Sequence, residues 1–199
     1  MMNKRTIASV RPGEQDRCVG TLVDAFADDP VARWLFPQSN QYVENFPKLV
    51  NAFATVAVSR GTAWEIDGFA GTAVWLAPGR EPDEAALAEA VGEGVLADRK
   101  RGAFELLERM AEVHPQGPHW YLPLIGVEPR RQGLGCGSAL LSEVARICDR
   151  EGLPAYLEAT SPSNVALYHR HGFRPLGSLQ AGDSPPLIRM ERPPRSVSG

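Results

Sequence analysis

The sequence lacks paired cysteines. Its three, Cys18, Cys136 and Cys148, are odd in number and form no CxxC. That excludes a disulfide framework or a cysteine-based zinc site and points to a reducing, cytoplasmic location. No hydrophobic run reaches the length needed to span a bilayer, so no membrane partner is expected. The opening stretch MMNKRTIASVRPGEQ carries basic residues with no apolar segment behind them, and no signal peptide is expected. Positive charge is not in excess either: 21 Lys and Arg stand against 24 Asp and Glu, for a formal net charge of −3. A general nucleic-acid binder would normally present a basic face, so no nucleic-acid partner is expected. The four histidines, His114, His119, His169 and His171, have no metal-ligand spacing, and the last two would diverge on a helix. No metal site is therefore expected. No internal repeat or low-complexity segment occurs.

What is present is ordinary globular material. The 199 residues are 43% hydrophobic and 23% charged, enough for one domain with a real core. A single domain over 1–192 is expected, with the tail PPRSVSG, 193–199, disordered. Residues 4–10 read as a first strand, and Pro12-Gly13-Glu14 as a helix start. The helix that follows carries Cys18, Leu22, Val23 and Phe26 on one side. Asp28-Asp29-Pro30 interrupts it before the short apolar segment VARWLF. A second helix is expected over 41–59, with Val43, Phe46, Val50, Phe53 and Ala57 on one face and a kink or later start at Pro47. Strands follow at 62–66 and 71–77, joined at Asp67-Gly68, a hairpin signal. Residues 81–113 read as two acidic, Ala-rich helices. The last third gives a strand over 119–127 and a helix over 138–151 closed by Gly152. A strand over 155–160, a helix stopped at Gly172 and two closing strands complete it. The order is β, helices, β–β, helices, β–α–β–α–β–β, a mixed α/β plan.

One loop stands out. In VEPRRQGLGCGSALL three glycines alternate, Gly133, Gly135 and Gly137, between a strand ending at Val127 and a helix beginning near Gly135. Glycine costs backbone entropy, so the main chain itself must be needed there. Unpaired amides at a helix start attract anions, and glycines let an anion come close. A grip on a phosphate or pyrophosphate is favoured over a tight turn without a ligand. A P-loop would need a lysine before Ser138, and none is present. A dinucleotide fold would need GxGxxG, and the third glycine is misplaced. Glu158 mimics its acidic ribose ligand, but too few residues follow to complete such a fold.

The same segment resembles the acyl-CoA-binding motif of the GNAT superfamily of N-acetyltransferases, Q/R-x-x-G-x-G/A, through Gln132, Gly135 and Gly137, with Val127 and Pro129 also in place. Downstream, LEATSPSNVALYHRHGF is similar to that family's second motif, through Asn164, Tyr168, Gly172 and Phe173. AFADDPVARWLFP and GTAVWLAP look like the puromycin N-acetyltransferase group of small-molecule acetyltransferases. The resemblance spans about residues 6–190. It implies a GNAT fold: a mixed, mostly antiparallel α/β sheet, splayed between strands 4 and 5 and flanked by helices. It implies acetyl-CoA as co-substrate and direct transfer to a primary amine, with a small molecule, an antibiotic-like amine among them, as acceptor. A protein N-terminal or lysine acetyltransferase, or a non-catalytic acyl-CoA sensor, are the alternatives. A homodimer stays open.

By that resemblance, the segment Gln132, Gly133, Leu134, Gly135, Cys136, Gly137 and Ser138 holds the pyrophosphate of coenzyme A. The strand around Ile125 and Val127 pairs with the pantetheine arm, and an amide near Val127 polarises the thioester carbonyl. Tyr168 is the general acid that protonates the leaving thiolate. Asn164 is a helix N-cap, and a ligand to the coenzyme arm with even weight. Glu158, near the gap, is a candidate base or a salt-bridged carboxylate. A water chain ending at Glu158 or His119 would also serve, since His119 and Tyr121 project to one face of the preceding strand. Cys136 is read as packing rather than as a covalent nucleophile. Arg130 and Arg131 meet the coenzyme 3′-phosphate or are solvated loop charges. Asp28 and Asp29 cap a helix or hold a cationic amine. Trp34, Phe36, Trp64, Trp75 and Trp120 are core by default.

Overall fold

The computed structural model describes residues 5–195. Seven strands form one sheet in the order β1-β2-β3-β4-β5-β7-β6. The first three are β1 (Ile7–Ser9), β2 (Ala63–Ile66) and β3 (Gly71–Leu76). They are followed by β4 (Trp120–Val127), β5 (Ala155–Ala159), β6 (Arg174–Leu179) and β7 (Leu187–Arg192). Every pairing is antiparallel except β4 with β5. The element order read from the sequence is the observed one. Of the first expected strand, Ile7–Ser9 is realised, and Lys4 lies outside the described residues.

Between β1 and β2 run α1 (Gln15–Ala25), α2 (Pro30–Leu35) and α3 (Ser39–Ser59). The VARWLF segment is helical because Asp29 caps it: its Oδ1 accepts from the amides of Val31 at 2.9 Å and Ala32 at 3.0 Å, and Pro30 suits the first helical position. α3 begins at Ser39 and passes through Pro47 without a later start. Phe46, Val50, Phe53 and Ala57 form its buried stripe, but Val43 is 66% exposed, so it is not part of that face. The β2–β3 hairpin turns at Asp67-Gly68, both at positive φ (51° and 74°), as its residue types favour.

The helices α4 (Glu84–Gly94) and α5 (Ala97–Val113) follow β3. With α1, α2 and α3 they bury one core against one face of the sheet, including Leu22, Phe46, Phe53 and Leu106. The helices α6 (Cys136–Glu151) and α7 (Pro162–Arg170) cover a second core, with Trp75, Trp120, Leu140 and Phe173. Trp34, Phe36, Trp75 and Trp120 are buried and Trp64 is half-buried. Arg192 of β7, 3% exposed, grips Asp149 of α6 through two bonds of 2.8 Å. That pairing holds the Asp149 carboxyl below its ordinary range. The Arg195 amide adds a 2.7 Å bond to the same carboxylate; of the expected tail, 196–199 lie outside the described residues.

The strand β4 positions the site. Against β3 its register jumps between Val74↔Leu124 and Leu76↔Tyr121, two residues (Leu122 and Pro123) opposing one (Trp75), so β4 carries a bulge around Pro123. Proline lacks the ladder amide, and a bulge bends its strand. On the other side β4 pairs with β5 only over Trp120↔Ala155, Tyr121↔Tyr156 and Leu122↔Leu157. Beyond Leu122 the two parallel strands separate. This is the expected splay.

Candidate active site

The gap between β4 and β5 opens onto a groove of about 430 Å³. One end is the glycine loop. Gly133 and Gly135 sit at φ +73° and +86°, left-handed values that glycine accepts without strain. Gly135 is the N-cap of α6 and offers no side-chain acceptor. The helix's first backbone bond runs from Ala139 to Gly135 at 3.1 Å, so the amides of Cys136, Gly137 and Ser138 precede the ladder and sit at the positive end of the helix dipole. Gly137 has an ordinary helical φ. An added Cβ there would stand 3.5 Å from Leu167 and 3.7 Å from Val127, at the groove wall. Gly133 and Gly135 thus serve chain reversal, whereas a Cβ at Gly137 would make only ordinary contacts.

Gln132, Gly133, Gly135, Cys136, Gly137 and Ser138 all line the groove, as do Ile125 and Val127 of β4. Leu134 does not: it is 57% exposed, and its carbonyl accepts from Arg5. Arg5 also reaches Cys136 Sγ at 3.0 Å, so the loop is pinned from the N-terminal side of the chain. Cys136 is buried in the second core, which suits packing. Arg131 lines the groove, joined by Arg170, whose place the sequence reading did not anticipate.

At the other end stands Tyr168 of α7, 6% exposed. Its ring meets Phe173 edge-on at 5.9 Å. Burial, then the charge of Asp29, raises its pKa, so the phenol stays protonated. Asn164 also lines the groove, but it is not the N-cap. Ser161 holds that position, with Pro162 at the first helical site. The proline after Ser161 was the available signal.

Phe26 and Asp29 belong both to this groove and to a second cavity, an apolar chamber of about 120 Å³. Asp29 receives the hydroxyl of Thr160, just past the end of β5 and 131 residues away in sequence. Burial raises its pKa, and the bonds from Thr160, Ala32 and Val31 oppose the rise. The chamber also contains Glu158, two residues before Thr160 in sequence.

Glu158 and Tyr121 are shared in turn with an open cavity of about 570 Å³ beside α4 and α5. Burial pushes the Glu158 pKa up to about 7. The hydroxyls of Tyr156 and Tyr121, and the charge of Arg189 across the β5–β7 ladder, pull the other way. Its Oε1 is buried without a hydrogen-bond partner. Glu158 is in no salt bridge among the described residues. His119 and Tyr121 do line one cavity, and His114 joins them. His119 Nδ1 lies 2.9 Å from the Gly117 carbonyl and its Nε2 lies 2.9 Å from His114 Nε2. For a neutral pair, His119 donates from Nδ1 and accepts at Nε2. Burial, then His119, lowers the His114 pKa to about 4. Rings of Tyr121 and Tyr156 lie 4.8 and 5.1 Å from His114. No metal-binding cluster occurs among the described residues.

The groove thus has bare helix-start amides at one end and a buried phenol at the other, cut into a splayed sheet. The sequence profile of the acetyltransferase (GNAT) family matches residues 89–173. An uncharacterized N-acetyltransferase of Schizosaccharomyces pombe is 34% identical over 184 residues, covering 82% of this chain and 72% of that protein. The chain belongs to the GNAT family.

Among solved structures, a protein of Corynebacterium glutamicum described as histone acetyltransferase HPA2 and related acetyltransferase superposes with a TM-score of 0.72. It is 26% identical and covers 99% of this GNAT chain and 100% of its own. A polyamine N-acetyltransferase of Drosophila melanogaster shares the fold at TM-score 0.66 and 16% identity, over 96% of this chain and all of that one. The GNAT fold is therefore established, and the protein is an acetyltransferase. The antiparallel pairings of its sheet also remove the dinucleotide-binding alternative. No helix among the described residues is long and apolar enough to cross a membrane.

Proposed function

We propose that the protein transfers the acetyl group of acetyl-CoA directly to the primary amine of a small molecule. The observation that carries this reading is the line of adjoining cavities from the glycine loop, past Tyr168 and Asp29, to Glu158. The groove fits the coenzyme: its amides at 136–138 suit a pyrophosphate, and Arg131 and Arg170 are at hand for a further phosphate. Pairing of the open β4 edge over 123–127 with the amide-bearing pantetheine arm adds a strand-like contact.

Acetyl-CoA would supply the acetyl group as a thioester, whose carbonyl carbon the amine attacks while sulfur leaves as thiolate. The chain's own groups do the rest. An amide near Val127 polarises the carbonyl. Tyr168 donates its proton to the thiolate, for which a phenol held protonated is suited. Glu158 takes the proton of the amine. Asp29 is the poorer base, because its carboxylate already accepts from two amides and a hydroxyl, whereas Glu158 Oε1 is free. The proton leaves towards the open cavity that Glu158 also lines. Three buried, unpaired cysteines support a reducing, cytoplasmic compartment.

The test is Tyr168→Phe, read by thiol release on an amine panel and by calorimetric titration with acetyl-CoA. The variant keeps the ring packed on Phe173. We expect kcat to fall on the order of 100-fold or more with acetyl-CoA affinity unchanged. Binding of the coenzyme with no turnover on any amine, in the wild type, would favour a sensor. Turnover restricted to peptides would favour a protein acetyltransferase.

A further inference from the structure

We propose that the acceptor is an arylalkyl primary amine bearing one six-membered ring, seated in the apolar chamber with its amine on the Glu158–Thr160–Asp29 side. The inference rests on the acetyltransferase reading above and names its substrate class. Three observations carry it.

The first is size. The chamber holds about 120 Å³, and an apolar cavity of roughly 150 Å³ is known to stay dry and accept benzene. One ring fills such a space. Two small residues on different helices keep it open, Ala32 of α2 and Ala103 of α5, both lining the chamber and both buried.

The second is the split character of the wall. Phe26, Phe46, Phe53, Leu106, Leu107 and Met110 form the helical side. Three aromatic rings there offer edge and face contacts to a fourth. The β5 side is polar: Glu158 on the strand, then Thr160 just past its end, bonded to Asp29. Glu158 Oε1 is buried without a partner, an uncompensated acceptor that an ammonium or amine N–H would satisfy. The wall thus matches a molecule that is apolar at one end and cationic at the other.

The third is the approach. At Tyr121 and Glu158 the chamber adjoins the larger cavity, whose lining includes Glu81, Glu84, Glu108 and Arg80, with His114 and His119. Acidic groups outnumber the basic one at this mouth, which favours entry of a cation. The coenzyme groove adjoins the opposite side of the chamber, at Phe26 and Asp29. The amine therefore meets the groove from a side the coenzyme does not occupy.

The experiment compares kcat/KM for 2-phenylethylamine, ethylamine, agmatine and a lysine-containing peptide at saturating acetyl-CoA, in the full chain. We expect 2-phenylethylamine to exceed ethylamine by about 10- to 100-fold, the gain from burying one ring, and to exceed agmatine and the peptide. Two variants then narrow the chamber, Ala103→Leu and Ala32→Val, each checked for folding by its thermal transition. Either one is expected to lower the phenylethylamine-to-ethylamine ratio at least about tenfold, since added volume displaces the ring. Equal use of ring-bearing and ringless amines, or preference for agmatine or the peptide, would overturn the inference and leave acetyl transfer standing. So would an unchanged ratio in a folded variant. Absence of transfer to every amine, with acetyl-CoA bound, would overturn both the inference and the reading beneath it.

Discussion

Glu158 and Asp29 show how differently two carboxylates can be tuned within one strand-and-turn neighbourhood. Asp29 is spoken for by the α2 amides and Thr160; Glu158 is desolvated and only partly compensated, with its pKa near 7. The sign of the linkage follows. A carboxyl raised above its ordinary 4.5 holds its proton more tightly folded than unfolded. It costs the fold nothing below about pH 4.5, and the cost grows until about pH 7 and stays in full above it. Glu158→Gln is therefore expected to melt several degrees higher than wild type at pH 8, a gain of at most about 3 kcal/mol, and to converge with it below pH 5. The same variant is expected to lose the bend near pH 7 in the pH profile of kcat/KM, together with on the order of 100-fold in rate. Calorimetric melts and pH–rate profiles check the two halves separately. Glu158 was legible in the sequence as a carboxylate near the gap, whereas its lack of a partner was not, because that depends on where Tyr121, Tyr156 and Arg189 point. Asp29 was legible as a cap from the Asp-Asp-Pro run. Its tie to Thr160 spans 131 residues and has no local sequence signal.

At the level of elements, the site is made by β4. Its bulge shifts the alternation, so that Trp120 and Leu122 belong to the second core and Leu124 to the first, while Ile125 and Val127 pack against the second. Pro123 inside an otherwise apolar strand was the signal, and an unbroken strand is what the apolar run suggested. Gly126 then lets α1 approach: a Cβ there would lie 2.6 Å from Ala25 Cβ and 3.1 Å from Leu22 Cδ2. Gly126→Ala is expected to push α1 away at a cost of about 1–3 kcal/mol, a fall of about 2–4 °C in Tm per kcal/mol. Since Ala25 and Phe26 line the coenzyme groove, weaker acetyl-CoA binding is expected alongside it, and calorimetry reads both. The glycine loop was far more legible, because its cause is local. Left-handed φ at Gly133 and Gly135 and a bare helix start are written into consecutive residues. The cap of α7 lies three residues before Asn164, at Ser161, because the fixed φ of Pro162 starts the helix there.

For the whole molecule, two cores on the two faces of one sheet leave the splay between β4 and β5 as the place where both faces are reachable. The groove proposed for the coenzyme adjoins α6 and α7; the chamber and its mouth adjoin α2 to α5. The topology was readable because strand and helix patterns are short-range and alternate cleanly in the last third. The chamber was not readable, because its walls come from four helices and three strands whose packing distances no periodicity encodes. The account as a whole depends on the amides at the start of α6 holding acetyl-CoA. Titration of the full chain with acetyl-CoA, followed by the amide resonances in heteronuclear NMR, tests that most directly. The account predicts saturable binding in which Gly135, Cys136, Gly137 and Ser138 shift most. Absence of binding by the folded protein, or binding that leaves those four amides unmoved, would contradict it.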